Sequence, residues 1–139
     1  QGRRDEAKAI FDALLAKAPK DAAVLNGVGW FHLIGGELDQ AKPFFEKSIA
    51  ADPQSAGAMN GLAQVLKAQG DDAAAIKLWE QMVKKFPGPN AGTAGLADAY
   101  LEKEQFKKAI PLFEELAKAE PDNEEFKAKL EQARKGAGK

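Results

Sequence analysis

The 139-residue chain has no cysteine and a single histidine, His32. Without thiols there is neither a disulfide framework nor a thiolate metal site, and one imidazole has no second His or Cys to complete a metal site. The lack of cysteine suits cytoplasm and periplasm equally and leaves the compartment open. No apolar run approaches the ~20 residues that a membrane span requires, so direct membrane insertion is not expected. Charge of one sign is also missing: the formal net charge is -1, and basic residues such as Lys84, Lys85, Lys107 and Lys108 are interspersed with acids. That pattern builds no nucleic-acid stripe. There is no G-x-S-x-G, P-loop or G-x-G-x-x-G, and the acidic pairs Glu114–Glu115 and Asp71–Asp72 read as solvated charge. No catalytic, cofactor-binding or metal-ligating residue is therefore expected.

What the chain does have is an ordinary globular balance, 45% hydrophobic and 29% charged, and a strict internal period. Alanines fall 34 residues apart at Ala7, Ala41, Ala75 and Ala109, and four residues after each stands a large ring, Phe11, Phe45, Trp79 or Phe113. Pro19, Pro53, Pro87 and Pro121 keep the same step, as do Gly2, Gly36 and Gly70, with Glu104 breaking the glycine series. Self-similarity at such an interval is the mark of a stacked repeat array. Within one unit, Ala41, Phe45, Ser48 and Ile49 share a helical face, and Met59, Leu62, Ala63 and Leu66 share another, which predicts two helices per repeat. Asp21, Ser55 and Asn123 are placed to cap first helices. Trp79 and Tyr100 occupy repeat-core positions.

These 34-residue helix-turn-helix units, with A-x3-F and a terminal Pro, resemble the tetratricopeptide repeat family. The family's W-x2-L-G-x2-Y is degenerate here: Leu25-x2-Val28-Gly29-x2-His32, Met59-x2-Leu62-Ala63-x2-Leu66 and Thr93-x2-Leu96-Ala97-x2-Tyr100 stand in its place, and the resemblance gives His32 the packing role of the family's tyrosine. The resemblance implies an all-α fold, a right-handed superhelical solenoid of antiparallel helix pairs. Its units are a second-half helix of a truncated repeat at 1–21, repeats at 22–55, 56–89 and 90–123, and a capping helix with a frayed tail at 124–139. The cap opens with Glu124 and Glu125, closes with Arg134 and Lys135, and carries one apolar stripe, Phe126, Leu130 and Ala133. Fraying is expected from Gly136. Pro43 and Pro111 predict a late helix start or a kink. Glu104 predicts a turn unlike those at Gly36 and Gly70. The start at Gln1, partway through a repeat, reads as a fragment with more repeats upstream, and the Ala/Lys-rich style as bacterial.

By the same resemblance the function is a non-catalytic scaffold for protein–protein interaction, binding a peptide or partner helix in a concave groove lined by first helices. The corresponding positions are Ala23, Asn26, Trp30 and Leu33; Gly57, Asn60, Gln64 and Lys67; and Ala91, Ala94, Asp98 and Leu101. Of these, Asn26, Trp30, Leu33, Asn60, Gln64, Lys67 and Asp98 are the binding candidates, with Trp30 the expected anchor. The asparagine amides suit a peptide backbone, and Gly27, Gly61 and Gly95 would let a ligand lie close. Lys67 alone is too little for a clamp on a C-terminal carboxylate. The competing reading is structural: Ile10, Phe11 and Leu14 form an uncovered stripe through which the chain builds a homo-oligomer.

Overall fold

The computed structural model describes all 139 residues, and it is all-α, with eight helices and no strand. They are α1 (Gly2–Lys17), α2 (Ala22–Ile34), α3 (Leu38–Ala51), α4 (Ala56–Ala68), α5 (Asp72–Lys85), α6 (Ala91–Glu102), α7 (Phe106–Ala119) and α8 (Glu124–Ala137). Two compact units divide the chain, residues 1–71 and 72–139. The first contains α1–α4 and the second α5–α8.

Helix starts follow the chemistry of free N–H groups. The Asp21 side chain accepts from Val24 N at 3.0 Å, Ser55 from Ala58 N at 3.4 Å, and Asn123 from Glu125 N and Phe126 N. Asn90 does the same for Gly92 N and Thr93 N. Each cap satisfies a donor that the helix leaves orphaned.

The turns inside each helix pair are alike. Residues Gly36 and Gly70 have φ of 75° and 87°, and the N–H groups of Gly36 and Glu37 donate to Leu33 O and His32 O, as those of Gly70 and Asp71 do to Lys67 O and Leu66 O. Glu104 was expected to change this turn and does not: its φ is 56°, and Glu104 N and Gln105 N donate to Leu101 O and Tyr100 O in the same pattern. The paired closing hydrogen bonds impose the left-handed backbone on a residue with a Cβ, at a steric cost that glycine avoids.

The late start expected at Pro43 and Pro111 is also absent. Helix α3 begins at Leu38 and α7 at Phe106, so both prolines stand inside the helix, beyond its first turn. Both are exposed, so the carbonyl that loses its N–H partner lies on the solvent side, where water can serve it. The tail also departs from expectation. Helix α8 continues to Ala137, because Gly136 seats against the Phe106 ring: a Cβ there would fall 2.5 Å from it.

In unit 1 the core is a cluster of Ala41, Phe45, Ala58 and Val65, with Trp30, Leu33, Leu38, Ile49 and Leu62 packed against it. Phe45 is 0% exposed. Its ring lies between α2 and α4 over two glycines, Gly29 and Gly61; a Cβ on Gly29 would stand 2.7 Å from a ring carbon, and one on Gly61 would overlap the ring. Alanine at position 41 and Ser48 complete the buried face of α3, and Ser48 Oγ donates to Ala22 O at 2.7 Å, tying the two helices. In unit 2 the buried residues include Ala75, Trp79 and Met82 of α5, Leu96, Ala97 and Tyr100 of α6, Ala109, Phe113 and Leu116 of α7, and Ala133 of α8. Trp79 rests on Gly95 as Phe45 rests on Gly29.

Two substitutions test this packing. Phe45→Ala removes a ring that glycines cannot replace, and should lower the unfolding free energy by ~3–5 kcal/mol in denaturant titration; a loss under ~1 kcal/mol would contradict the burial. Glu104→Gly relieves the left-handed strain and should raise stability by about 1 kcal/mol. No gain in the same titration would mean that the turn has another source of support.

Candidate protein-interaction face

The first helices α2 and α4 pack together in unit 1, and their sequence positions decide what that pairing leaves open. Leu25, Val28 and Gly29 of α2 are buried. Asn26, Trp30 and Leu33, one turn apart on another face, are only partly so. Trp30 meets Phe45 edge to face, with ring centroids 5.6 Å apart and planes at 80°. It and Leu33 therefore divide their apolar area between core and surface. The Asn26 carboxamide turns toward α4, where a Cβ on Gly57 would lie 3.3 Å from its Nδ2. Its Oδ1 is buried without a hydrogen-bond partner, an acceptor left unsatisfied at a cost of ~1–3 kcal/mol.

On α4, Asn60 is buried at 6% exposure, Lys67 is half-buried and Gln64 is exposed. The candidates thus differ in reach: Gln64 is exposed, Trp30, Leu33 and Lys67 are partly so, and Asn60 hardly. Asp98 belongs to unit 2, where Lys129 of α8 approaches it at 2.9 Å and Glu125 at 2.5 Å. Burial works against the Lys129 charge, but its hydrogen bonds to Glu125 and Asp98 outweigh that and raise its pKa.

The three glycines expected to give a ligand close approach do not. A Cβ on Gly27 would lie 2.9 Å from the Phe11 ring, one on Gly61 would overlap Phe45, and one on Gly95 would stand 2.5 Å from Trp79. The chain's own rings occupy the space that the missing side chains leave.

Helix α1 splits its apolar stripe. Phe11 turns onto α2, 5.6 Å from the Phe31 ring. Ile10 and Leu14 stay exposed at 60% and 40%. A polar cluster, which the sequence gives no sign of, holds the start of this helix. Glu37 takes Arg4 on one oxygen at 2.9 Å and His32 Nδ1 on the other at 2.5 Å. Arg4 lies 4.3 Å over the Phe31 ring and donates to Phe31 O, filling the space beside Gly35 where any Cβ would collide with it. His32, expected in a packing role, stacks on Phe44 with planes 12° apart. The His32 hydrogen bond, then the one from Arg4, hold the Glu37 carboxyl below its ordinary pKa.

An all-α array of repeated helix pairs is the class that this arrangement defines. Family models described as tetratricopeptide repeat match residues 1–56, 32–94 and 68–133, and the chain belongs to that family, generally a non-catalytic protein–protein interaction module. No curated protein matches it in sequence. Among solved structures, it is similar to the MamA protein (TM-score 0.82, 20% identity, 99% of this chain and 75% of that one). It is also similar to a tetratricopeptide repeat protein from Parabacteroides merdae (0.78, 14%, 99% and 54%) and to yeast Tom70 (0.81, 22%, 96% and 29%). The chain thus spans about half the length of the Parabacteroides protein and under a third of Tom70. At these identities the likeness establishes the fold.

The Glu37 cluster has a testable pH signature. Its folded pKa is lowered from 4.5, so its contribution is present above pH 4.5 and is lost as the pH falls through the lower, folded value. Hydrogen exchange, corrected for the intrinsic rate, should show α1 losing protection between pH 5 and pH 3 while α3 keeps its own. Glu37→Gln should remove that pH dependence. Equal protection of wild-type α1 at both pH values would show that the cluster does not anchor it.

Proposed function

We propose that the chain holds a peptide or a partner helix against the α2–α4 face, with Trp30 and Leu33 as the apolar anchor. Asn26, Asn60, Gln64 and Lys67 frame that pair, and Asp98 takes the equivalent repeat position in unit 2. The observation that carries this reading is the partial burial of Trp30: its ring meets Phe45 in a T-shaped contact while part of the side chain stays accessible. A ring held in one orientation gives up little conformational freedom on binding, and its N–H can find a carbonyl on the partner. The unpartnered Asn26 oxygen beside it adds an acceptor for a ligand N–H once the side chain turns outward.

A second reading rests on a different observation, the exposure of Ile10 and Leu14. A stripe of this kind on α1 suits self-association, which would make the chain a building block of a larger assembly.

The test is a peptide selected from a displayed library on the wild-type chain. Trp30→Ala should weaken its binding by ~2 kcal/mol or more. Because Trp30 also touches Phe45, thermal unfolding is followed on the same variant, and Gln64→Ala, whose side chain is exposed, should weaken binding with no change in melting. Unchanged affinity in both variants would refute the α2–α4 face. Light scattering over a tenfold concentration range decides the second reading: a ligand-free oligomer that Ile10→Asp and Leu14→Asp dissolve would favour assembly.

A further inference from the structure

Apart from the α2–α4 face, unit 1 has a cleft of about 510 Å³ lined by Pro19, Lys20, Leu25, Lys47, Ala50 and Ala51. Lys47, Ala50 and Ala51 stand at i, i+3 and i+4 on α3 and so share one face. Buried Leu25 of α2 forms the floor, and the Pro19–Lys20 turn forms the far wall. The Ser48 to Ala22 hydrogen bond fixes α3 against the first turn of α2 and so fixes the walls. The lining is apolar except for its two lysines.

Those lysines are uncompensated. Lys20 has no ionic partner, and Lys47 has only the Phe44 ring, 5.8 Å from its Nζ. Of the carboxylates near them in sequence, Asp21 caps α2 through Val24 N, Asp52 accepts from Gln54 N, and exposed Glu46, next to Lys47, makes no ion pair with it. An apolar floor between two unpaired cations is complementary to an apolar side chain flanked by carboxylates.

We propose that this cleft docks an acidic peptide segment, one apolar side chain on Leu25, Ala50 and Ala51 with neighbouring Asp or Glu carboxylates on Lys20 and Lys47. A long alkyl chain fits it less well, because five of the six lining residues are themselves exposed and enclose nothing deep. The site lies on a different face of α2 from Trp30 and does not depend on the α2–α4 reading.

The probe is acetyl-Glu-Glu-Leu-Glu-Glu-amide, blocked at both ends, titrated into the ¹⁵N-labelled full chain. The expected result is saturable shifts of the Lys20, Lys47, Ala50 and Ala51 amides. Affinity should fall at least tenfold for the Gln-Gln-Leu-Gln-Gln analogue, for the analogue with Ser in place of Leu, and for Lys20→Gln/Lys47→Gln. Both lysines are exposed, so this double variant keeps the fold, which its unperturbed remaining spectrum will verify. Equal binding of the neutral analogue, shifts confined to residues around Trp30, no shifts at millimolar peptide, or an unaltered double variant would each overturn the proposal. Decanoate shifting these amides where the acidic peptide does not would overturn it in favour of a small apolar anion.

Discussion

The structure depends on a ring lodged against glycine. Phe45 fits because positions 29 and 61, on two successive first helices, have no side chain, and the ring in turn sets how closely those helices approach. Phe11 on Gly27 and Trp79 on Gly95 repeat the device. In such an interlock neither partner is free to change alone: a Cβ on the glycine collides, and a smaller ring leaves a void that rigid neighbours cannot close. Each repeat thereby fixes the spacing of the surface it shows, and a binding face built on α2 and α4 inherits its geometry from Phe45.

That coupling explains what could be read from the sequence. The period of alanine, ring and proline identifies the helix pairs because alanine and ring are packing contacts repeated in register, while the exposed proline lies just past the end of each second helix. Caps at Asp21, Ser55 and Asn123 are legible for the same reason, since a cap is a contact between near neighbours. The glycines were harder. Their spacing is visible, but a glycine looks identical whether its missing side chain makes room for a ligand or for the chain's own ring, and only the position of the opposing Phe or Trp decides. Glu104 hides its turn differently: the left-handed backbone there is set by the closing hydrogen bonds to Leu101 and Tyr100, so residue identity alone misleads.

The Arg4, Glu37 and His32 cluster was not legible at all. Its members are separated by a helix and a turn, none repeats at the family interval, and their meeting requires the space that Gly35 leaves open. Its energetic weight differs from that of the core. Glu37 is solvent-screened, so the cluster orients the start of α1 rather than holding the unit together. The apolar contact of Phe11 with Phe31 carries the packing.

For the candidate face, the consequence is a division of labour within single residues. Trp30 meets Phe45 in a T-shaped contact and is only partly buried, so in the proposed face the same ring would serve both core and surface. An exposed residue such as Gln64 is free to adapt but loses rotamer freedom when a partner orders it. Trp30 has already lost most of that freedom on folding, because the T-shaped contact selects its orientation before any ligand arrives. Binding then draws on area whose ordering cost was met in the folding of the repeat, which is the physical reason to place the anchor at Trp30 and the adaptable contacts at Gln64 and Lys67.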